Sequence, residues 1–237
     1  MKLGVNIDHI ATLRQARGTQ YPDPAVGALL CEYAGANSIV AHLREDRRHI
    51  QERDIFLIRN VIRIPFNLEM SVNADIVNIA LELDPYQATL VPEKRKELTT
   101  EGGIDLIKNY RRVERAVKYL QDKGIVVSLF IDPIKAQIEK AKILAVENVE
   151  INTGKYSEAK SLHKQKVELK KIKEVARYAK NLGFFVAAGH GLDYKNVKEI
   201  AKIKEIEELN IGHSIVCRSM FVGIAAAVEE MLSLVKV

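Results

Sequence analysis

The stretch KLGVNIDHI, residues 2–10, alternates strictly from Leu3 to Asp8. Leu3, Val5 and Ile7 share one parity; Gly4, Asn6 and Asp8 share the other. Successive side chains of a strand point to opposite faces. One face is therefore apolar and must be covered, and the other is polar and runs into His9. Seven more short apolar runs follow, at 38–43, 66–70, 88–91, 125–131, 149–152, 184–188 and 208–211. Each is bounded by Gly, Pro, Asn or Asp, as buried strands are. Helical patterns fill the intervals, at 23–34, 53–62, 73–82, 104–122, 134–145, 157–182, 194–203 and 214–236. The first has Pro24 near its start and Gly35 past its end, the asymmetry expected of a helix. Eight strand–helix units of about 30 residues each predict one (β/α)8 TIM barrel domain over 1–237, with minor extra helical decoration. An open doubly wound sheet is the alternative, but no GxGxxG follows the first run.

Polar parities recur at the ends of other runs. His42 and Arg44 share one in the second, Asn67 and Glu69 in the third, Glu150 and Asn152 in the sixth. In a barrel the apolar face packs on helices, so these side chains point inward. Barrel interiors are usually filled by branched apolar residues, and unpartnered buried charge is costly. A hydrophilic active-site cavity accounts for the pattern better than a polar core.

Five of the six histidines, His9, His42, His49, His190 and His213, fall at or just after strand ends; His163 falls within a helix. Imidazole suits proton transfer near neutrality. Metal-ligand spacings such as HExxH are absent, so no metal is expected. AAGHGL (187–192) follows the seventh run and NIGHS (210–214) the eighth. Those positions in a barrel commonly hold phosphate, on backbone N–H groups and a helix start. Two loops are basic: one after the first run, with Arg14 and Arg17, and HLREDRRHI (42–50), with Arg44, Arg47 and Arg48. Arg47 and Arg48 can be absorbed by Glu45 and Asp46, whereas Arg44 shares the inward parity of His42. A second anionic group would fit there.

Composition narrows the classes. Hydrophobic residues are 47% and charged residues 28%, ordinary globular usage that excludes disordered, collagenous and disulfide-scaffold chains. No apolar run approaches a membrane span, and the start lacks a secretory signal, so a cytoplasmic protein is expected. The net charge of +5 sits largely on a Lys/Glu helix at 155–180, a solvated face rather than a nucleic-acid surface. Cys31 and Cys217 are expected to be buried free thiols.

GVNIDHIATLRQARGTQYPDP, HLREDRRHI, NLEM, LVPEKRKELTTEGG, VEINTG, AGHGL and LNIGHS, in this order, resemble the pyridoxine 5′-phosphate synthase family from about residue 3 to 236. The resemblance implies a homo-octameric barrel without metal or redox cofactor. It implies condensation of 3-amino-2-oxopropyl phosphate with 1-deoxy-D-xylulose 5-phosphate, giving pyridoxine 5′-phosphate, inorganic phosphate and water. It further implies that His42 and Glu69 accept protons, His190 donates one, and Glu150 stabilises a transition state. Asn6, Asp8, His9, Arg17, Arg44, His49 and Thr99 would contact substrate, and Gly191, Gly212 and His213 would form phosphate turns. Asn152 stands where some relatives have His. Lids are expected in the loops after the first and fourth runs. Two other readings stay open: a single-substrate sugar-phosphate isomerase, and a non-catalytic barrel that binds phosphate ligands.

Overall fold

The computed structural model describes residues 1–92 and 102–236. In chain order the elements are β1 (Lys2–Asn6), α1 (Asp8–Arg17), α2 (Pro24–Tyr33), β2 (Ser38–Leu43), α3 (Glu52–Val61), β3 (Phe66–Met70), α4 (Ala74–Leu83), β4 (Gln87–Leu90), α5 (Leu106–Asp122), β5 (Val126–Ile131), α6 (Lys135–Ile143), β6 (Asn148–Asn152), α7 (Gly154–Ser157), α8 (Leu162–Asn181), β7 (Phe185–Gly189), α9 (Val197–Ala201), β8 (Glu208–Ile211), α10 (His213–Val222) and α11 (Ile224–Val235). The eight strands pair in parallel and in sequence order, and β8 closes on β1.

The parity seen in the sequence becomes two faces. Leu3, Val5, Leu68, Met70, Val149 and Ile151 point outward under the helices and are fully buried. The inward face is largely polar, with Val40, Phe130 and Ala187 among its apolar residues. Ser38, Gln87, Asn148 and Glu208 lie toward the amino ends of their strands, and Asn67, Thr89, Ser128 and Asn210 above them. They bond to one another: Thr89 donates to Asn67 at 2.8 Å, Asn148 to Gln87 at 2.6 Å, and Ser38 to Glu208 at 3.3 Å. Glycine makes room for them. A Cβ on Gly4 would lie 2.2 Å from Asn210 Oδ1 and 2.7 Å from Ser38 Oγ.

Local chemistry sets the helix starts. Asp23, Asn73, Asp105 and Ser161 each accept a hydrogen bond from a backbone N–H in the first turn of α2, α4, α5 and α8. At α3, Gln51 and Asp54 form a capping box.

Three expectations are corrected. The basic segment after β1 is helical, not a loop: Asp8 opens α1, basic Arg14 and Arg17 close it, and Gly18 terminates it at φ 65°. The stretch expected as one helix over 214–236 is two, parted by Gly223 at φ 83°. Only the second, α11, packs on β1, α2 and α9, so α10 is the inserted piece. The helix expected from 157 begins at Leu162, with the single turn α7 before it. The helical decoration thus consists of α1, α7 and α10, inserted after β1, β6 and β8, where the polar side chains end. A fourth correction concerns the thiols. Both cysteines are free, but only Cys31 is buried; Cys217 is exposed on α10.

Gly4→Ala is expected to destabilise the barrel by about 1–3 kcal/mol, because the added methyl overlaps two packed polar groups. Urea denaturation measures the loss; an unchanged midpoint would show that the axis has slack.

Candidate active site

The first cluster stands on the carboxyl ends of β1, β2 and β3. His42 and Glu69 are register partners across the β2–β3 pair. Asp8 locks this corner. Its Oδ1 accepts from the His42 backbone N–H at 2.8 Å, and its Oδ2 from the Asn6 amide at 3.0 Å. Asn6 Oδ1 in turn accepts from the Asp8 backbone N–H at 3.0 Å. Asp8, His42 and Glu69 each bring one side-chain ligand atom within 4.8 Å of the others. Such a group could face a cation. However, both Asp8 oxygens are already engaged, and burial beside Glu150 and Asp8 raises the Glu69 carboxyl well above the usual range, although Asn6 hydrogen-bonds to it. The same proximity suits proton traffic among the three groups. Burial, helped by His49 and Arg44, pushes His42 down to about 3, so its imidazole is neutral.

Glu150, on β6, is almost fully buried. Asn210 of β8 donates to its Oε2 at 2.7 Å. Burial pushes its carboxyl up to about 7; the Asn210 bond opposes the shift and Glu208 deeper in the barrel reinforces it. Gly189 allows this placement, since a Cβ there would lie 2.4 Å from Glu150 Oε1.

His190 follows β7 with φ 81°, a left-handed conformation rare outside glycine. The neighbouring α7 turn holds it. Thr153 Oγ1 donates to the His190 carbonyl at 2.6 Å, and Gly154 passes so close that a Cβ would meet the imidazole at 2.9 Å. Burial lowers His190. Gly191 continues the turn at φ 74°. After β8, Gly212 crosses against Asn6, with room for no side chain. It opens α10, whose first residue, His213, meets His9 edge-on with ring centroids 4.8 Å apart. The Gly212 turn and the start of a ten-residue helix therefore lie beside the β1 cluster, and the Gly191 turn lies against α7.

The basic loop after β2 is tied internally. Arg44 is buried and its Nε lies 3.2 Å from Asp46; Arg48 reaches the same carboxylate at 2.6 Å. Arg47 pairs with Glu52 at 2.7 Å, not with the Glu45 carboxylate. His49 lies beside His42, ring centroids 6.2 Å apart, and burial lowers it. Arg14, basic in the sequence, is fully committed inside: both of its terminal nitrogens lie 2.7 Å from Asp54.

The structure thus gathers Asn6, Asp8, His42, Glu69, Glu150, His49, Arg44, His9, His213, His190 and the glycine turns around one end of the barrel. Arg17 is different: it stands exposed in the last turn of α1. Thr99 lies outside the described residues, as does most of the candidate lid after β4. His163 is exposed, and it lies in the first turn of α8 rather than in the middle of a helix. Sequence reading did not single out Asn210 or Asp132. The first has the inward parity of a signal within LNIGHS. Asp132, just past β5, accepts from Asn152 Nδ2 at 2.9 Å and from the Gly103 N–H at 3.0 Å, and nothing in its local sequence announces this. Asn152 accordingly pins β6 to the segment that returns from the β4 loop.

A closed parallel barrel with acid–base groups at the carboxyl ends of its strands defines the class, a (β/α)8 barrel of enzyme type. The chain belongs to the family of the pyridoxal phosphate biosynthesis protein PdxJ, whose family model matches residues 3–237. It is 53% identical over 229 residues to the pyridoxine 5′-phosphate synthase of Pseudoalteromonas translucida (strain TAC 125), covering 97% of this chain and 94% of that one. To the pyridoxine 5′-phosphate synthase of Geotalea uraniireducens (strain Rf4) it is 50% identical, with 99% and 98% covered. Among solved structures, KGPDC from Streptococcus mutans superposes with TM-score 0.66 at 14% identity, covering 99% of this chain and 97% of that one. Phosphoribosyl anthranilate isomerase from Thermococcus kodakaraensis gives 0.63 at 13%, with 99% and 98% covered. These two likenesses show the shared barrel.

The raised Glu150 carboxyl makes stability depend on pH. Below its ordinary value of 4.5 the group is protonated folded or unfolded, and burial imposes no ionisation penalty. Above about 7 the folded state must hold a buried carboxylate, and stability is lost. Glu150→Gln is therefore expected to be more stable than the unsubstituted chain by on the order of 2 kcal/mol at pH 8. The gain should vanish near pH 4.5 when denaturant midpoints are compared. An equal difference at both pH values would contradict a shifted Glu150.

Proposed function

We propose that this chain is a pyridoxine 5′-phosphate synthase. It condenses 3-amino-2-oxopropyl phosphate with 1-deoxy-D-xylulose 5-phosphate and releases pyridoxine 5′-phosphate, inorganic phosphate and water. Family membership supports the reaction. The observation that carries the mechanism is the register pair His42–Glu69, with Glu150 electrostatically coupled to Glu69 at one barrel mouth.

Schiff-base formation, dehydration, phosphate elimination and ring closure all need protons moved near neutrality. The upward-shifted Glu69 carboxyl and the neutral His42 imidazole form a complementary acid and base side by side. A proton passed from Glu69 leaves a carboxylate that takes one from a substrate carbon in a later step. His42 and Glu69 thus act as the acceptors, and His190 on its strained turn as the donor. Glu150 near 7 is poised between forms. An iminium cation formed above it would pull it to the carboxylate, and that carboxylate would then stabilise the cation. One phosphate would sit on the Gly191 and Gly212 turns with His213 at the start of α10. The other would meet Arg44 and His49 with His9, Asn6 and Asp8 setting the near edge; Arg17, at the end of α1, and Thr99 would complete the substrate contacts. No redox cofactor is needed, because no step transfers a hydride; the proton transfers are assigned to the chain's own acid–base groups, without a metal.

The whole chain, 1–237, would act as one catalytic unit in the cytoplasm, without nucleic-acid or membrane partners; among the described residues no helix is long and apolar enough to cross a membrane. A homo-octamer is proposed with it. Leu29, Leu30 and Tyr33 on α2, and Met220 and Phe221 on α10, supply exposed apolar surface for such contacts. Sedimentation at assay concentration should give eight copies; a monomer would refute the assembly.

Incubation with both substrates should yield pyridoxine 5′-phosphate by mass and absorbance. Glu69→Gln should lower kcat by about 100-fold or more, the range of a lost acid–base group, with KM changed only a few-fold. Turnover of one substrate alone would favour an isomerase; binding without turnover would favour a ligand-binding barrel.

A further inference from the structure

The pair Arg14–Asp54 is buried more deeply than most ion pairs, with Arg14 4% and Asp54 0% exposed. It lies outside the reacting cluster, and a buried ion pair is weak evidence of stabilisation for its own sake. Its bonds indicate another use. Arg14 approaches Asp54 with two nitrogens at 2.7 Å, and its Nη2 also donates to the His49 carbonyl at 3.2 Å. Asp54 Oδ2 accepts from the Gln51 N–H at 2.9 Å as part of the α3 capping box. Gln51 Nε2 then returns to the same His49 carbonyl at 2.9 Å and to the Arg47 carbonyl at 2.6 Å.

The backbone of His49 is thus held from two sides by groups that Asp54 organises. The His49 ring is fixed as well. Its Nδ1 accepts from the Ile50 N–H at 2.9 Å, and Ile50 is fully buried. A neutral imidazole with Nδ1 accepting must carry its proton on Nε2. His49 therefore presents a preset N–H donor from a clamped position next to His42. Arg14 belongs to α1, the helix whose first turn carries Asp8 and His9.

We propose that Arg14 and Asp54 are positioning residues. They lock the β2–α3 loop to α1, so that His49, Asp8 and His9 reach a substrate anion as one rigid unit. The inference rests on the functional reading only in giving His49 an anion contact, and inorganic phosphate tests it without turnover.

The experiment is a double-mutant cycle read in phosphate affinity by titration calorimetry, with KM for both substrates measured alongside. Arg14→Lys keeps the charge but loses the fork. It should weaken phosphate about tenfold, the loss of one charge-assisted hydrogen bond, and raise KM for one substrate with kcat within a few-fold. In a His49→Ala background the same substitution should change affinity less than about twofold. Thermal midpoints should fall equally in both backgrounds. If Arg14→Lys does not fold, Arg14→Met with Asp54→Leu replaces the pair by apolar groups of similar size, a change buried pairs tolerate. That protein should fold and show the same affinity loss. Equal losses with and without His49, no loss, no phosphate binding by the unsubstituted chain, or unfolding of both variants would overturn the proposal. Absence of turnover with an intact phosphate cycle would instead refute the synthase reading alone.

Discussion

The structure depends on carboxyl groups held inside a ring of parallel strands, out of bulk water but inside a web of amides and hydroxyls. An isolated carboxylate in an apolar barrel would be untenable. Here Asn210 holds Glu150, Ser38 holds Glu208, and Asn6 reaches both Asp8 and Glu69. Enough solvation is replaced for the groups to exist, and enough is withheld to raise Glu69, Glu150 and Glu208 above ordinary carboxyls. Glycines at 4, 189 and 212 are the geometric condition, since each leaves room for a polar neighbour.

The three inserted helices serve the same end of the barrel. α1 carries Asp8 and, through Arg14, the position of His49. α7 brings Thr153 and Gly154 against His190. α10 begins at the Gly212 turn. Strand ends supply the acid–base groups, and the inserts set the anion-facing surfaces around them. Stability and chemistry are separated in space: the outward strand faces and helices make the core, and the inward faces hold the reactive groups.

Much of this was legible in the chain. Parity alone placed His42, Glu69 and Glu150 inward, because period-two alternation survives in buried strands whose outer face must be apolar. The barrel followed from eight alternations. What escaped reading depends on long-range pairing. Arg14 looks like an exposed cation until Asp54, 40 positions later, is folded against it. The helix α1 was masked because its sequence spends its polar residues on site contacts instead of a clean solvent stripe. Cys217 sits in an apolar-looking helix, yet α10 is an insert rather than a core helix, so the thiol faces water. The break at Gly223 likewise needs the left-handed turn that only the fold displays.

The central claim is that burial along the barrel axis holds the Glu69 and Glu150 carboxyls above the ordinary carboxyl range, so that both serve as exchangeable proton carriers. Carbon-13 labelling of glutamate carboxyls and NMR titration of the whole protein measures this directly. The account predicts three carboxyl resonances titrating above the ordinary range, one lost in Glu69→Gln, a second lost in Glu150→Gln, and the third belonging to Glu208. If both groups titrate with the surface glutamates, between about pH 4 and 5, the account is contradicted.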